Sequence, residues 1–180
     1  DFRELAARDD IDAVLIASTD HWHVLHALEA VRSGKDVYLE KPMGLSLQEI
    51  KTLRSELHHH SRTFQFGTQQ RSMPNFRFAC ELVRNGRIGK VHTVEVGLPT
   101  GGGGGNAPFT DPPPNMDYDF WCGPAPWAPY SADRTHWNWR WQMDYGGGQL
   151  MDWIGHHGDI AEGGLGTDTT GAVEFNPIFA

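Results

Sequence analysis

The fold is decided by residues 13–42, whose sequence is AVLIASTDHWHVLHALEAVRSGKDVYLEKP. This stretch opens with Ala13–Ala17, an unbroken apolar run that is typical of a strand covered on both faces in a parallel sheet. A helix is predicted next, because apolar residues recur at helical spacing: Val24, Ala27, Leu28, Val31. Gly34 ends this helix, since glycine readily adopts the left-handed conformation of a helix C-terminus. Val37–Leu39 is then predicted to be a second strand.

The alternation of strands and helices continues downstream. Ser46 followed by Glu49 is a capping box, which predicts the start of another helix, and Thr63–Gly67 is predicted to be a third strand. Residues 13–67 therefore form the mononucleotide-binding unit of a doubly wound α/β sheet, the C-terminal half of a Rossmann sheet. The other half needs a Gly-x-Gly-x-x-Gly turn for the pyrophosphate. No such motif occurs before residue 13, so we expect the chain to be truncated at its N-terminus.

We expect two partial domains: a dinucleotide-binding domain over residues 1–70 and a substrate-binding α+β domain over residues 71–180. In the second domain, residues 91–98 alternate in polarity like a strand with one solvated face. The Gly- and Pro-rich stretch that includes Gly101–Gly105 predicts a long surface loop. Gly146–Gly148 then leads into a helix predicted over residues 149–161.

Composition limits the classes of partner. The net charge is -8 and the pI is near 5.6, and Lys and Arg are nowhere clustered, which argues against a nucleic-acid partner. No run of about 18 apolar residues occurs, so no membrane span is predicted. The two cysteines are too few for a disulfide framework and favour a reducing, cytoplasmic compartment. A small-molecule ligand is the expectation that remains.

Polar segments follow each of the three predicted strands. They are Ser18-Thr19-Asp20, Glu40-Lys41-Pro42 and Thr68-Gln69-Gln70-Arg71. Ligands bind beyond the carboxyl ends of strands in open parallel sheets, so these segments are expected to converge on one site. Taken singly, Lys41 and Arg71 are better explained as solvated loop charges, and their shared position at one sheet edge is what favours a functional role.

A second polar constellation lies on the predicted helix after the three glycines. Asp152, His156 and Asp159 are spaced four and three residues apart, which places them on one face, while His157 lies off that face. A carboxylate one turn before an imidazole suits acid and base chemistry near neutral pH. A solvated helix face is the alternative. A metal site that also uses His136 lacks a tight ligand signature, so no metal is predicted.

Five of the seven tryptophans lie within residues 121–141. Two interpretations stay open for them. They form part of the core, or they stack against sugar faces beside the polar cluster.

Three stretches strongly resemble the Gfo/Idh/MocA oxidoreductase family: ASTDHWH at 17–23, GKDVYLEKP at 34–42 and GGGQLMDWIGHHGD at 146–159. The resemblance runs from about residue 11 to residue 165. It implies a Rossmann sheet followed by a second domain with a large, mostly antiparallel sheet, of which only the first strand and helix are evident. The chain is therefore also expected to be truncated at its C-terminus.

The resemblance implies hydride transfer between a sugar or sugar-like secondary alcohol and NAD or NADP. The catalytic residues that it implies are Lys41, Asp152 and His156. His156 would take the hydroxyl proton, Lys41 would stabilise the developing alkoxide and Asp152 would orient the substrate. The family's proline is often cis, so the Lys41–Pro42 bond is expected to be cis.

Further site residues follow from the same resemblance. The cofactor-binding set is Ser18, Thr19, Asp20, His23, Glu40, Lys41, Gln69 and Arg140. The substrate-binding set is Arg71, Trp139 and His157. Thr19 stands where the family commonly has proline. NAD and NADP stay undecided, because the residue that contacts the ribose 2′-hydroxyl follows a strand of the missing half.

Two other functions compete with dehydrogenation of a sugar. One is an NAD-dependent glycosidase of the same superfamily, which oxidises, eliminates and re-reduces its sugar with the same residues. The other is a non-catalytic sugar-binding relative, against which the joint presence of Lys41, Asp152 and His156 counts. The full-length protein is expected to be a homo-oligomer.

Overall fold

The computed structural model describes residues 1–103 and 105–176. Gly104, within the predicted Gly- and Pro-rich loop, lies outside the described residues. The helices and strands are, in chain order, α1 Phe2–Ala6, β1 Ala13–Ile16, α2 Asp20–Arg32, β2 Asp36–Glu40, α3 Leu47–His60, β3 Phe64–Gly67, α4 Pro74–Arg84, α5 Tyr118–Cys122 and α6 Gly148–Leu165. Three 3₁₀ helices are added to them: Gln69–Ser72, Ala132–Arg134 and Asn138–Trp141.

The chain divides into two units. The first comprises Asp1–Gly67 and Leu98–Gly155, and the second comprises Thr68–Gly97 and the chain from His156 onward. Helix α6 contributes residues to both.

The first unit is built around a three-stranded parallel sheet in the order β1-β2-β3. Ile16 pairs with Leu39, and Glu40 pairs with Gly67, so the three strands end at the same edge. The predicted β-α-β-α-β unit and its single carboxyl edge are therefore confirmed.

Helices α2 and α3 cover one face of the sheet. The residues of this core are Ile16, Val24, Ala27, Leu28, Ala30, Val31, Val37, Leu39 and Leu53. Burying a side chain of the size of leucine or valine contributes about 1.5–3 kcal/mol, so this layer is the main stabilising element of the sheet. Leu15, on the opposite face of β1, remains 67% exposed. The apolar run predicts a strand that can be covered on both faces, but in the described part of the chain the two helices shield only the face that carries Ile16 and leave an apolar surface on the other.

The ends of α2 and the start of α3 agree with the sequence signals except in one detail, whereas α6 continues to Leu165, beyond its predicted end at residue 161. Gly34 has φ of 79°, the left-handed conformation expected after α2. Ser46 is the N-cap of α3, but its hydroxyl makes no capping hydrogen bond, so the predicted capping box does not form. The start of α3 is held instead by the backbone N–H of Ile50, which donates to the Ser46 carbonyl at 3.1 Å. The Lys41–Pro42 peptide bond is cis, as expected.

The later segment of the first unit packs against α2 through aromatic side chains. His21 Nε2 lies 3.1 Å from the Trp121 carbonyl oxygen, and Trp22 Nε1 donates to the same oxygen at 3.2 Å. Trp121 also meets Tyr145 edge-on, with ring centroids 4.6 Å apart. These contacts bring the segment before α6 to the N-terminal end of α2.

In the second unit, ion pairs join the 3₁₀ helix Gln69–Ser72 to α6, and they join both this 3₁₀ helix and α4 to Asp168, which follows α6. Arg71 Nε donates to Asp159 at 2.5 Å, and the same guanidinium reaches Asp168 at 2.6 Å. Arg84 pairs with Asp168 at 2.7 Å.

Residues 91–98, predicted to be a strand, do not form one in the described structure. A strand needs a partner strand for its backbone hydrogen bonds, and the described residues offer no such partner. Within the ranges described, no helix is long and apolar enough to cross a membrane.

Candidate active site

Lys41 and Asp152 form the centre of the candidate site. Lys41 follows β2 at the carboxyl edge of the sheet, and Asp152 lies in the second turn of α6. The Lys41 ammonium donates to Asp152 Oδ1 at 2.7 Å and to the Asp152 backbone carbonyl at 2.6 Å. The side chains are 16% and 18% exposed, so this ion pair is only partly screened by solvent. The predicted proximity of these two residues, 111 positions apart in sequence, is observed.

Arg140 adds a second cation to the same carboxylate. Its Nε lies 3.6 Å from Asp152 Oδ1. The guanidinium stacks over the rings of Trp137 and Trp139, with its Cζ 4.2 Å and 4.6 Å from the two centroids. Cation–π contacts of this kind fix the planar guanidinium in place. Asp152 thus lies between two positive groups.

Asp20 is a second carboxylate whose pKa is affected by the charges of Lys41, Arg140 and Asp152. It is the first residue of α2 and is 6% exposed. Burial raises the pKa of Asp20 to about 7. The charges of Lys41 and Arg140 act in the opposite direction, as does a hydrogen bond from the backbone N–H of Gly147, while Asp152 raises the pKa further. Near neutral pH this carboxyl group is therefore poised between its neutral and charged forms.

Among the residues that follow β1, Ser18 and His23 make polar contacts with other residues of the chain. Thr19 is the N-cap of α2, with extended backbone angles and no capping bond from its hydroxyl. The Ser18 hydroxyl lies 3.1 Å from His26 Nδ1. His23 is 1% exposed and places both ring nitrogens against backbone carbonyls, those of Pro42 and Ser18. The cofactor roles of Ser18, Thr19, His23 and Glu40 stay predictions.

The remaining predicted site residues belong to the second unit. His156 is 7% exposed and lies one helical turn after Asp152 in α6. His157 Nδ1 lies 3.1 Å from the Gly97 carbonyl oxygen. Gln69 begins the 3₁₀ helix that follows β3. The Arg71 guanidinium is bound to two carboxylates, which raise its pKa above the ordinary value. The roles assigned to these residues stay predictions.

Several contributors to the site were not identified from the sequence. Trp137 stacks on Arg140, whereas Trp139, the predicted substrate contact, is 9% exposed and belongs partly to the core. A Cβ on Gly146 would lie 2.8 Å from the Arg140 carbonyl oxygen, and one on Gly155 would lie 3.4 Å from Lys41 Cβ. The sequence signal that could have indicated the contact at Gly146 is the run Gly146–Gly148, since repeated glycine before a helix is typical of a close approach between two backbone segments.

A metal centre is not formed by the described residues. Across 1–103 and 105–176, no three His, Cys, Asp or Glu side chains are grouped so as to hold an ion.

The parallel sheet and the polar carboxyl edge define the class of protein: a Rossmann-like nucleotide-binding fold, with a lysine–aspartate pair where such folds bind ligands. A family model described as oxidoreductase family, NAD-binding Rossmann fold, matches residues 1–68. A second model, the family's C-terminal alpha/beta domain, matches residues 83–176. The chain belongs to the Gfo/Idh/MocA oxidoreductase family.

Individual relatives agree with this assignment. The uncharacterized oxidoreductase YrbE of Bacillus subtilis is 29% identical over 186 residues, which cover 100% of this chain and 44% of the relative. Myo-inositol 2-dehydrogenase of Thermotoga maritima is 30% identical over 96 residues, 53% of this chain and 29% of that protein. The crystal structure of an oxidoreductase domain protein from Kribbella flavida is similar with a TM-score of 0.66 at 25% identity, covering 92% of this chain and 38% of that one. This chain thus spans less than half the length of each.

Proposed function

We propose that this chain is part of an NAD- or NADP-dependent oxidoreductase that transfers hydride between a secondary alcohol of a sugar or polyol and nicotinamide. The observation that carries the proposal is the Lys41–Asp152 pair at the carboxyl edge of the sheet, with 2.7 Å between Nζ and Oδ1. Family membership supports the nicotinamide cofactor, and the inositol dehydrogenase among the relatives supports a polyol substrate.

The chemistry of the site fits the nicotinamide end of the cofactor and its substrate. An ammonium has three N–H donors, and Lys41 uses two of them on Asp152. Among the described residues no other acceptor is bonded to this ammonium, which leaves one donor for an oxygen of a bound ligand. The adenosine and pyrophosphate end has no corresponding glycine turn in these 180 residues. We therefore assign the nicotinamide-proximal contacts to Ser18, Asp20, Glu40 and Arg140.

The catalytic roles divide among three residues. We assign the general base to His156, because an imidazole accepts a hydroxyl proton at neutral pH and His156 lies one turn from Asp152. A bound nicotinamide would supply the hydride acceptor for the carbon that carries this hydroxyl. Lys41 would donate a hydrogen bond to the oxygen as it gains negative charge. Asp152 would hold Lys41 and orient the neighbouring hydroxyl groups of the substrate.

The finer architecture and biology are also proposals. Residues 1–70 would contribute to the nucleotide domain and residues 71–180 to the substrate domain, whose mostly antiparallel sheet would include residues 91–98. The full-length protein would be a cytoplasmic homo-oligomer. Family resemblance supports these assignments, and an acidic chain with two cysteines is consistent with them.

The test is an assay of the full-length protein for reduction of NAD⁺ and of NADP⁺ with a panel of inositols and sugars. Lys41→Met should lower kcat/KM by about 10²–10³, the usual cost of removing one donor to a developing oxyanion. The matched control is Lys51→Met, because Lys51 is an exposed lysine of α3. That variant should retain the wild-type rate constants.

Three outcomes would contradict the proposal. Equal effects of the two lysine substitutions would exclude Lys41 from catalysis. Cleavage of a glycoside without net accumulation of reduced cofactor would point to the superfamily's NAD-dependent glycosidase chemistry. Binding of sugar without any turnover would indicate the non-catalytic relative.

A further inference from the structure

His23 has an unusual pair of hydrogen-bond partners. The residue lies in α2 and is 1% exposed. Its Nδ1 lies 2.6 Å from the carbonyl oxygen of Pro42, and its Nε2 lies 3.0 Å from the carbonyl oxygen of Ser18. Carbonyl oxygens only accept hydrogen bonds, so the imidazole has to donate wherever a bond forms.

The proton count of the ring limits these bonds. A neutral imidazole carries one N–H and can satisfy one of the two carbonyls, whereas the doubly protonated ring can satisfy both. The contact to Pro42 is the shorter by 0.4 Å, on the two distances of 2.6 Å and 3.0 Å. The geometry therefore favours Nδ1 as the nitrogen that keeps its proton in the neutral ring.

The two carbonyls belong to the exits of neighbouring strands. Ser18 follows β1, and Pro42 directly follows Lys41 after β2. The imidazole bridges these two segments and contacts the carbonyl of the Pro42–Met43 peptide, one residue beyond the lysine. A shift of the backbone at Lys41–Pro42 would displace the base of the Lys41 side chain, whose ammonium meets Asp152 at 2.7 Å.

We propose that His23 is the positioning residue for Lys41: its Nδ1–H bond to the Pro42 carbonyl holds the Lys41–Pro42 segment so that the ammonium meets Asp152. The bond from Nε2 to Ser18 is added when the ring takes a second proton. Only the kinetic consequences of this inference rest on the proposed function.

The charged and titratable groups around the ring decide when that second proton is bound. Burial lowers the pKa of His23 below its ordinary value, and the charge of Lys41 acts in the same direction. The Pro42 and Ser18 carbonyls and the charge of Glu40 oppose this effect. His21 and His26, on the same helix, are themselves lowered in pKa by burial and by the charge of His23. The ring is therefore neutral at pH 7 and bonds Pro42 alone.

Two amide substitutions separate the two bonds. In His23→Asn the side-chain NH₂ lies close to the position of Nδ1, and in His23→Gln it reaches the position of Nε2. The Asn variant can therefore keep the bond to Pro42, and the Gln variant can keep only the bond to Ser18. Both variants remove the ring, so each is the control for loss of core packing in the other.

The placement of Lys41 is measured by its rate of modification with an amine-reactive reagent, followed by peptide mass spectrometry, with Lys51 as the internal reference. Lys41 of the Gln variant should react about tenfold faster than in the wild type, the factor expected for loss of one hydrogen bond. Lys41 of the Asn variant should react at the wild-type rate. In the active protein, kcat should fall with the Gln substitution and recover with Asn, while KM changes little. Equal labelling in both variants, or faster labelling with Asn, would overturn the proposal.

A measurement on the unsubstituted protein covers the case in which the variants do not fold. ¹⁵N chemical shifts of histidine-labelled protein report which ring nitrogen is protonated. We expect the His23 proton on Nδ1 at neutral pH and on both nitrogens in acid. A lone proton on Nε2 would refute the assignment. Labelling and NMR require no turnover, so an inactive protein with the expected pattern would refute the proposed function and leave the role of His23 intact.

Discussion

Asp20→Asn should make the protein more stable above pH 7 and should flatten the dependence of its stability on pH. The folded-state pKa of Asp20 is raised from 3.8 to about 7, with burial as the main cause. When folding raises the pKa of a carboxyl group, its contribution to the free energy of unfolding is largest below its unfolded-state pKa. That contribution is lost as the pH rises through its folded-state pKa. Asp20 should therefore destabilise the folded protein progressively between about pH 4 and pH 7. Asparagine has nearly the same shape and does not titrate.

The magnitude follows from the size of the shift. Each pKa unit corresponds to about 1.4 kcal/mol, so a shift of roughly three units gives at most about 4 kcal/mol. The N-terminus of α2 favours a negative charge and reduces this figure by about 0.3–1 kcal/mol. The asparagine carbonyl can still accept the hydrogen bond from the Gly147 N–H, so the substitution costs little hydrogen-bond energy. We expect a gain of about 1–4 kcal/mol at pH 8 and a much smaller effect at pH 4.

The assay is urea unfolding of both proteins at several pH values from 4 to 9, at fixed ionic strength. The quantity of interest is the difference in unfolding free energy between variant and wild type. That difference should grow with pH and level off above pH 7. A constant difference across the range, or a loss of stability at pH 8, would show that Asp20 is ionised in the folded protein at neutral pH and that burial does not control it.

Two further predictions concern α6 and the segment before it. His156→Ala should lower kcat of the full-length protein by about 10²–10⁴, the usual contribution of a general base, and His157→Ala should lower it much less. Steady-state kinetics at saturating cofactor test this, and a larger loss with His157→Ala would exclude His156 as the base. Gly146→Ala should cost about 1–3 kcal/mol of stability, because the added Cβ would lie 2.8 Å from the Arg140 carbonyl oxygen. Urea unfolding measures it, and an unchanged midpoint would show that the backbone relaxes freely there.

The half-Rossmann sheet could be predicted because its signals are local. The run Ala13–Ala17 and the glycine at position 34 fix a strand and a helix end whatever the rest of the chain does. Coverage of Leu15 and pairing of residues 91–98 could not be predicted in the same way, because both depend on which segments come to lie beside them. Periodicity indicates which face of an element is apolar but not whether a partner is present.

The candidate site was only partly accessible to the same reasoning. Lys41 and Asp152 were identified through the family resemblance, and their proximity is observed at 2.7 Å. The positions of Arg140 and Asp20 depend on contacts between separate segments, such as the Gly147 N–H that reaches Asp20. Sequence spacing carries no information about such contacts. The burial that raises the Asp20 pKa is likewise a property of the assembled unit.

The charge state of Asp20 has a consequence for the whole site. With Asp20 neutral, the cluster holds the cations Lys41 and Arg140 and the single carboxylate of Asp152, which gives a net charge of +1 on that count of side chains. A net positive site stabilises an oxygen that gains negative charge beside the Lys41 ammonium. Ionisation of Asp20 would bring the same cluster to neutrality and weaken that stabilisation. Under the proposed function, burial of Asp20, which costs folding stability at high pH, would preserve the positive field beside the Lys41 ammonium.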